Sequence, residues 1–336
     1  MNEDVNLKYK VGALLYTPAL NTKISNDLKL EKFGKRFSLA LCLEDTISDA
    51  SVEVAEETLC TSLHDIYSEY EKYDFYLPKI FIRVRSASQM ERIYECNKDV
   101  REIITGFVLP KYSINNADEY NQAIVNINNR SNKKIYIMPI LESLDIVDYF
   151  DRRETLKKIK EKIDSVNNYV LNVRVGGNDF SNDFAVRRHI DETIYDILPV
   201  AQLLTDIITV FSREYVLSGP VWEFFSSEND EWKVGLQKEL KLDLLNGFIG
   251  KTVIHPKQID VINNALMVSK EDYEDATKIL GWEDNDFKVA VAKSYDGKRM
   301  NEVKTHINWA KKIIMLAKIY GVEGEENKEI TFNEAI

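Results

Sequence analysis

The chain reads as a single (β/α)₈ barrel followed by a C-terminal helical extension, and three observations predict it. Eight short, β-rich apolar runs follow one another along the sequence. Most gaps between them carry a helical period. The runs ALLYTP, LALCLED and IYIMPILES are apolar at successive rather than alternate positions, the mark of parallel strands covered on both faces. Strand and helix alternating throughout is the order of an α/β protein, and about 250 residues is an ordinary length for one barrel. An open doubly wound sheet is the alternative; it would put a site where the strand order reverses and does not call for eight strands.

The runs lie at 12–18, 37–45, 78–86, 104–111, 135–143, 170–178, 214–221 and 250–256, each closing on or beside Pro, Gly or a charged residue. The first gap, 19–36, carries the weakest helical pattern. In the second, Val52, Ala55, Leu59, Leu63, Ile66 and Tyr70 recur at spacings of three and four, which predicts one amphipathic helix. Rougher patterns of the same kind occupy 88–102, 116–129, 144–167, 191–212 and 229–246. Residues 257–336 hold two or three helical patterns and no further convincing strand. The last pattern aligns Val303, Ile307, Ala310, Ile314 and Ala317 on one stripe, with Gly321 placed to stop it. The acidic end from Glu323 to Ile336 reads as frayed. The expected division is a barrel over 1–262 and a helical extension over 263–336.

Composition narrows the function classes. Lys and Arg number 44 against 55 Asp and Glu, a formal charge of -11, which argues against an electrostatic grip on nucleic acid or anionic lipid. No run approaches the length of a membrane span. Cys42, Cys60 and Cys96 lie far apart in sequence and form no CxxC pair, so a reducing, cytoplasmic setting is expected. The 4 histidines show no zinc-binding spacing, and phosphate-loop, dinucleotide and nucleophile-elbow motifs are absent.

Barrel chemistry lies at the C-terminal strand ends. There the apolar runs are interrupted by Glu44 and Asp45 after LALCL, Arg83 and Arg85 in FIRVRS, Lys111 after GFVLP, Glu142 after IYIMPIL, and Asp179 after VRVGGN. An unpaired charge in such a mouth is unfavourable, so these groups should be paired, solvated or on a metal. Glu44 and Asp45, adjacent on a strand, should point oppositely, and Asp45 is expected to face the mouth. The pair Gly176-Gly177 permits close backbone approach beside it.

The series LLYTP, LCLEDTISD, FIRVR, GFVLPK, IMPILES, GGNDF and GFIGKTVIHPKQI, in this order over residues 12 to about 262, resembles the strand signatures of the HpcH/HpaI aldolase and citrate-lyase β-chain superfamily. The stretch YDGKRMNEVKTHINWA is similar to the C-terminal helical segment of that superfamily. GGNDFSNDFAVRR, TIYD and SGPVWEFF resemble a branch of barrel carbon–carbon bond lyases found beside tellurite-resistance genes.

The resemblance implies a magnesium ion on Glu142 and Asp179, in keeping with the hard oxygen ligands that ion prefers. It implies that Arg83 contacts the substrate carboxylate or carbonyl and the enolate formed from it, a task suited to a planar fork of donors. Asp45 would organise metal-bound water or move a proton, the other reading being a cap for the following helix, and Lys111 would face either the ligand or an acid such as Glu142. Gly177 is read as lining the ligand site, the other reading being a turn residue. Arg85 stands where many relatives carry Asn, so a more anionic or differently shaped substrate is expected.

The implied activity is a Mg2+-dependent lyase or aldolase acting through an enolate on a carboxylate-bearing keto or hydroxy-acyl substrate. Coenzyme A would be part of that substrate in one version, and the chain would form a homo-oligomer through its C-terminal helices. The histidine of simple pyruvate aldolases has no equivalent. Two alternatives stand beside this: a magnesium enolate enzyme acting on phosphoenolpyruvate or a 2-oxo acid, and a non-catalytic barrel that partners a biosynthetic complex.

Overall fold

The computed structural model describes residues 3–283 and 291–324. Its strands β1 (Ala13–Pro18), β2 (Ser38–Cys42), β3 (Lys79–Arg83), β4 (Ile104–Leu109), β5 (Tyr136–Leu141), β6 (Val173–Val175), β7 (Leu217–Gly219) and β8 (Phe248–Val253) form a closed barrel in sequence order. Every neighbouring pair is parallel, and the ring closes where Ala13, Leu14 and Leu15 pair with Lys251, Thr252 and Val253. Each strand falls within or across one of the eight apolar runs, which excludes the open sheet. The runs at 170–178 and 214–221 shrink to three paired residues each. In the first the chain turns at Gly176 into a helix, and in the second Pro220 brings no N–H to the ladder.

The gaps are helical as their periods require. Val52–Tyr70 buries Ala55, Leu59, Leu63 and Ile66 against the barrel wall, each large side chain contributing about 1.5–3 kcal/mol of transfer free energy. Ala117–Arg130, Leu198–Phe211 and Glu231–Asn246 fill three further gaps. The pattern at 144–167 divides into Leu144–Val147 and Arg152–Asp164, and the weak gap at 19–36 keeps only Ile24–Lys29. A seven-residue helix at Gly177–Asp183, absent from the sequence reading, follows β6 directly.

One network joins the buried charges of Lys251, Arg188, Glu239 and Asp243. Lys251, fully buried on β8, donates to Asp243 at 2.6 Å and pairs with Glu239 at 2.8 Å. Arg188 reaches the same Glu239 at 2.7 Å, and Tyr195 donates its hydroxyl to Asp243 at 2.7 Å. The loop after β6 and the helix Glu231–Asn246 are thereby tied to β8.

The chain divides into two compact units, one spanning Val11–Ile262 and the other combining the N-terminal helix Glu3–Lys10 with residues from Asn263 onward. Within the second unit, Lys270–Glu283 and Val303–Tyr320 meet through Ala276, Ile279 and Ala310. The Tyr320 hydroxyl donates to the Tyr9 carbonyl at 2.6 Å. Gly321, at φ 90°, ends the last helix where the sequence places its stop. The expectation of no strand after residue 257 is corrected: β9 (Val291–Lys293) and β10 (Met300–Glu302) form an antiparallel hairpin. Three residues are too few to leave a period in the sequence. The frayed end proposed for Glu323–Ile336 falls outside the described residues from 325 onward.

Cys60 and Cys96, distant in sequence, are brought together with their Sγ atoms 3.0 Å apart. Among the described residues no helix is long and apolar enough to cross a membrane.

Candidate active site

Each strand end delivers its polar residue to the same mouth. Arg83 is the last residue of β3 and is only 6% exposed. Its Nη2 lies 2.8 Å from Glu44 Oε2, 2.9 Å from Asp45 Oδ2 and 3.4 Å from Glu142 Oε1. Lys111, two residues beyond β4, extends its ammonium to Glu44 at 2.9 Å and Asp45 at 3.4 Å. Its backbone, held at φ 49°, turns the N–H onto Glu142 Oε1 at 3.0 Å. The two readings left open for Lys111 therefore meet: its ammonium faces acids, and its amide serves Glu142.

The expected opposition of Glu44 and Asp45 is corrected, because both carboxylates reach Arg83. β2 stops at Cys42, so the alternation of a strand no longer governs the two residues. Glu44 is the more enclosed of the pair, with its side chain 12% exposed against 50% for Asp45. It accepts from the Asp45 amide at 2.7 Å as well.

Arg85 is engaged elsewhere. Its Nε donates to the Leu43 carbonyl at 2.7 Å, Nη1 pairs with Asp49 at 2.5 Å, and Nη2 donates to the Ile47 carbonyl. The guanidinium thus clamps the loop that carries Glu44 and Asp45, and the substrate contact expected of it finds no support in this geometry.

Asp179 enters from the first turn of Gly177–Asp183 and lies beside Glu142, close enough for each to act on the other's ionisation. Burial pushes Glu142 up to about 7, with Asp179 adding to the rise and Arg83 opposing it. Burial also raises Asp179, helped by Asp45 and opposed by Lys111 and Arg83. Asp45 differs: burial raises it, but the bond to Glu44 and the charges of Arg83 and Lys111 outweigh that and hold it below the usual carboxylate range. Four carboxyls (Glu44, Asp45, Glu142, Asp179) thus stand at the mouth with two cations (Arg83, Lys111).

Two neighbouring carboxyls suit a hard divalent cation. Among the described residues no group of three His, Cys, Asp or Glu side chains is arranged as a metal site. Magnesium usually takes only one or two carboxylates from protein and fills its remaining positions with water and substrate oxygens.

Of the two glycines, Gly176 faces the site. A Cβ there would stand 2.2 Å from Glu142 Oε2, whereas one on Gly177 would meet Pro220 at 2.6 Å. Tyr16 and Arg174, which the sequence reading passed over, also reach toward Arg83: the Arg83 guanidinium lies 5.5 Å from the Tyr16 ring centre, and Arg174 acts on it through charge. A charged residue inside the run VRVGG was the available signal.

Solved structures share the fold. A citrate lyase from Burkholderia xenovorans LB400 superposes with a TM-score of 0.68 at 15% identity, covering 93% of each chain. CitE from Mycobacterium tuberculosis, crystallised with magnesium, acetoacetate and coenzyme A, matches at 0.57 and 15% identity over 92% of this chain and 99% of its own. RipC from Yersinia pestis matches at 0.51 and 17% identity over 77% of this chain and 95% of its own. At such identities the likeness shows the fold alone. A comparison with curated proteins finds no match. Residues 5–322 match the model of the carbon–carbon bond lyases of the TIM-barrel fold, and the chain belongs to that family.

Proposed function

We propose that the protein is a Mg2+-dependent carbon–carbon bond lyase that works through an enolate on a carboxylate-bearing keto or hydroxy-acyl substrate. The observation that carries this reading is the pairing of the buried Glu142 with the half-buried Asp179 at the barrel mouth, where the Asp179 charge helps to raise Glu142. These two residues would hold the metal, which when bound supplies Lewis-acid stabilisation of the oxygen on which enolate charge develops.

The other groups have separable tasks. Arg83 keeps a buried Nε with no hydrogen-bond partner, a donor available to the developing oxyanion in a water-poor setting, where such preorganised charge is most effective. Its Nη2 is anchored on Glu44, Asp45 and Glu142, which fixes the guanidinium plane. Glu44 and Lys111 position Asp45, the half-exposed carboxylate to which we assign proton transfer. Screening would begin with 2-oxo acids and then acyl-CoA esters, since the similar CitE was crystallised with acetoacetate and coenzyme A.

Calorimetric titration with Mg2+ and oxalate, an enolate mimic, tests the reading in wild type, Glu142→Ala and Asp179→Ala. Oxalate should bind only with the metal, and either substitution should abolish it. Metal-independent binding, or binding that survives both substitutions, would overturn the assignment.

A further inference from the structure

Arg174 sits in the middle of β6 between two valines and is 1% exposed. Its register partners are Ile140 of β5 and Ser218 of β7. Its Nη2 nevertheless donates to Thr252 Oγ1 of β8 at 2.8 Å, two strands away, so the side chain runs through the barrel interior. Nε and Nη1 make no well-formed hydrogen bond, and neither does the hydroxyl of Tyr16 on β1, which lies beside Arg174 and acts on it. The groups acting on the Arg174 charge are Tyr16 and the like-charged Arg83; no acid is among them.

Other buried cations of the barrel are treated differently. Lys251 and Arg188 share Glu239, and Arg152 pairs with Asp206. A buried charge without a counterion is strongly unfavourable, and an unsatisfied buried donor calls for a partner that the chain itself does not supply. Tyr16 is partly exposed although its hydroxyl is buried, so it links Arg174 to the open side of the barrel.

We infer that Arg174 and Tyr16 form an anion-binding floor beneath the mouth, which receives a second carboxylate of the substrate. The substrate is then a dicarboxylate, with one end at Glu142 and Asp179 and the other on Arg174; the first half of this statement rests on the metal reading above. A guanidinium presents planar donors matched to a carboxylate, and the Tyr16 hydroxyl adds another. Holding both ends fixes the orientation of the bond to be broken.

The test compares matched 2-oxo acids by calorimetry with Mg2+: 2-oxobutanoate against oxaloacetate, and 2-oxopentanoate against 2-oxoglutarate. In wild type one diacid should bind about tenfold or more tightly than its monoacid partner, the gain of a charge-assisted contact. Arg174→Met should erase that advantage and Tyr16→Phe should reduce it, with monoacid binding unchanged. Because Arg174→Met removes an uncompensated charge, its melting temperature should equal or exceed wild type; Tyr16→Phe, which removes one oxygen, serves as the second variant. If monoacids bind with Mg2+ and no diacid gains, or the gain survives Arg174→Met, the floor is not an anion site. A diacid that binds without metal and depends on Arg174 would uphold the floor while removing the metal reading. Binding of none of the four would remove both.

Discussion

Gly176 and Glu142 touch across the top of β5 and β6: a Cβ added to the glycine would stand 2.2 Å from Glu142 Oε2 and 2.4 Å from its Cβ. Glycine is therefore what leaves the carboxylate in its place. Gly176→Ala should displace Glu142 and weaken Mg2+ binding by about 10–100-fold, as loss of a supporting contact commonly does at metal sites. The added methyl should destabilise the fold by about 1–3 kcal/mol. Calorimetry and a urea melt on the same variant measure both effects, and undiminished metal affinity would refute the proposed role.

Glu142 gives the metal-free protein a definite pH dependence. Its folded pKa of about 7 lies above the ordinary 4.5. A raised carboxyl contributes stability that is fully present below the unfolded value and is lost as pH rises through the folded one. The window is therefore pH 4.5 to 7, with an upper bound of about 3 kcal/mol. Urea melts across this range should show the decline, and Glu142→Gln should flatten it. Mg2+ affinity should run the opposite way, rising toward neutral pH as Glu142 ionises. A flat stability profile in wild type would mean that Glu142 is ionised throughout.

Arg85 holds the loop from Leu43 to Asp49 by three guanidinium nitrogens. Lysine cannot reproduce that fork, so Arg85→Lys should speed amide exchange across 43–49 and lower stability by about 1–3 kcal/mol. Hydrogen exchange by mass spectrometry reads this directly. Unaltered loop protection together with weakened ligand binding would restore the substrate role that the sequence suggested.

Lys251→Met leaves Glu239 and Asp243 buried with one cation fewer, which should cost about 3–5 kcal/mol in equilibrium unfolding. The contrast with Arg174→Met is informative, since both remove a buried charge from a barrel strand and only one of them strands its partners. Equal stability changes in the two variants would contradict the distinction drawn between paired and unpaired cations.

The eight strands and most of the helices were legible because burial leaves a local period. Leu59, Leu63 and Ile66 report one helix face from a few neighbouring residues, and β5 reports two covered faces by its unbroken apolar run. The strand-end residues Arg83, Lys111, Glu142 and Asp179 were legible for a related reason, since a charge that interrupts an apolar run is visible in place. Short pieces were not: the hairpin of β9 and β10 and the helix Gly177–Asp183 are too brief to repeat any pattern.

The sequence by itself determined which groups stand at the mouth, because a strand end is defined by residues adjacent in the chain. Tertiary structure decided what each group meets there. Arg85 turned onto its own loop, Glu44 joined Asp45 on Arg83 once β2 had ended, and Gly176 rather than Gly177 came to lie against Glu142. Arg174 of β6 met Thr252 and Tyr16 only when the barrel closed. Partners of this kind are separated by tens of residues, and the free energy of pairing charges depends on distance and dielectric, quantities that exist only after closure brings the strand ends together and excludes water.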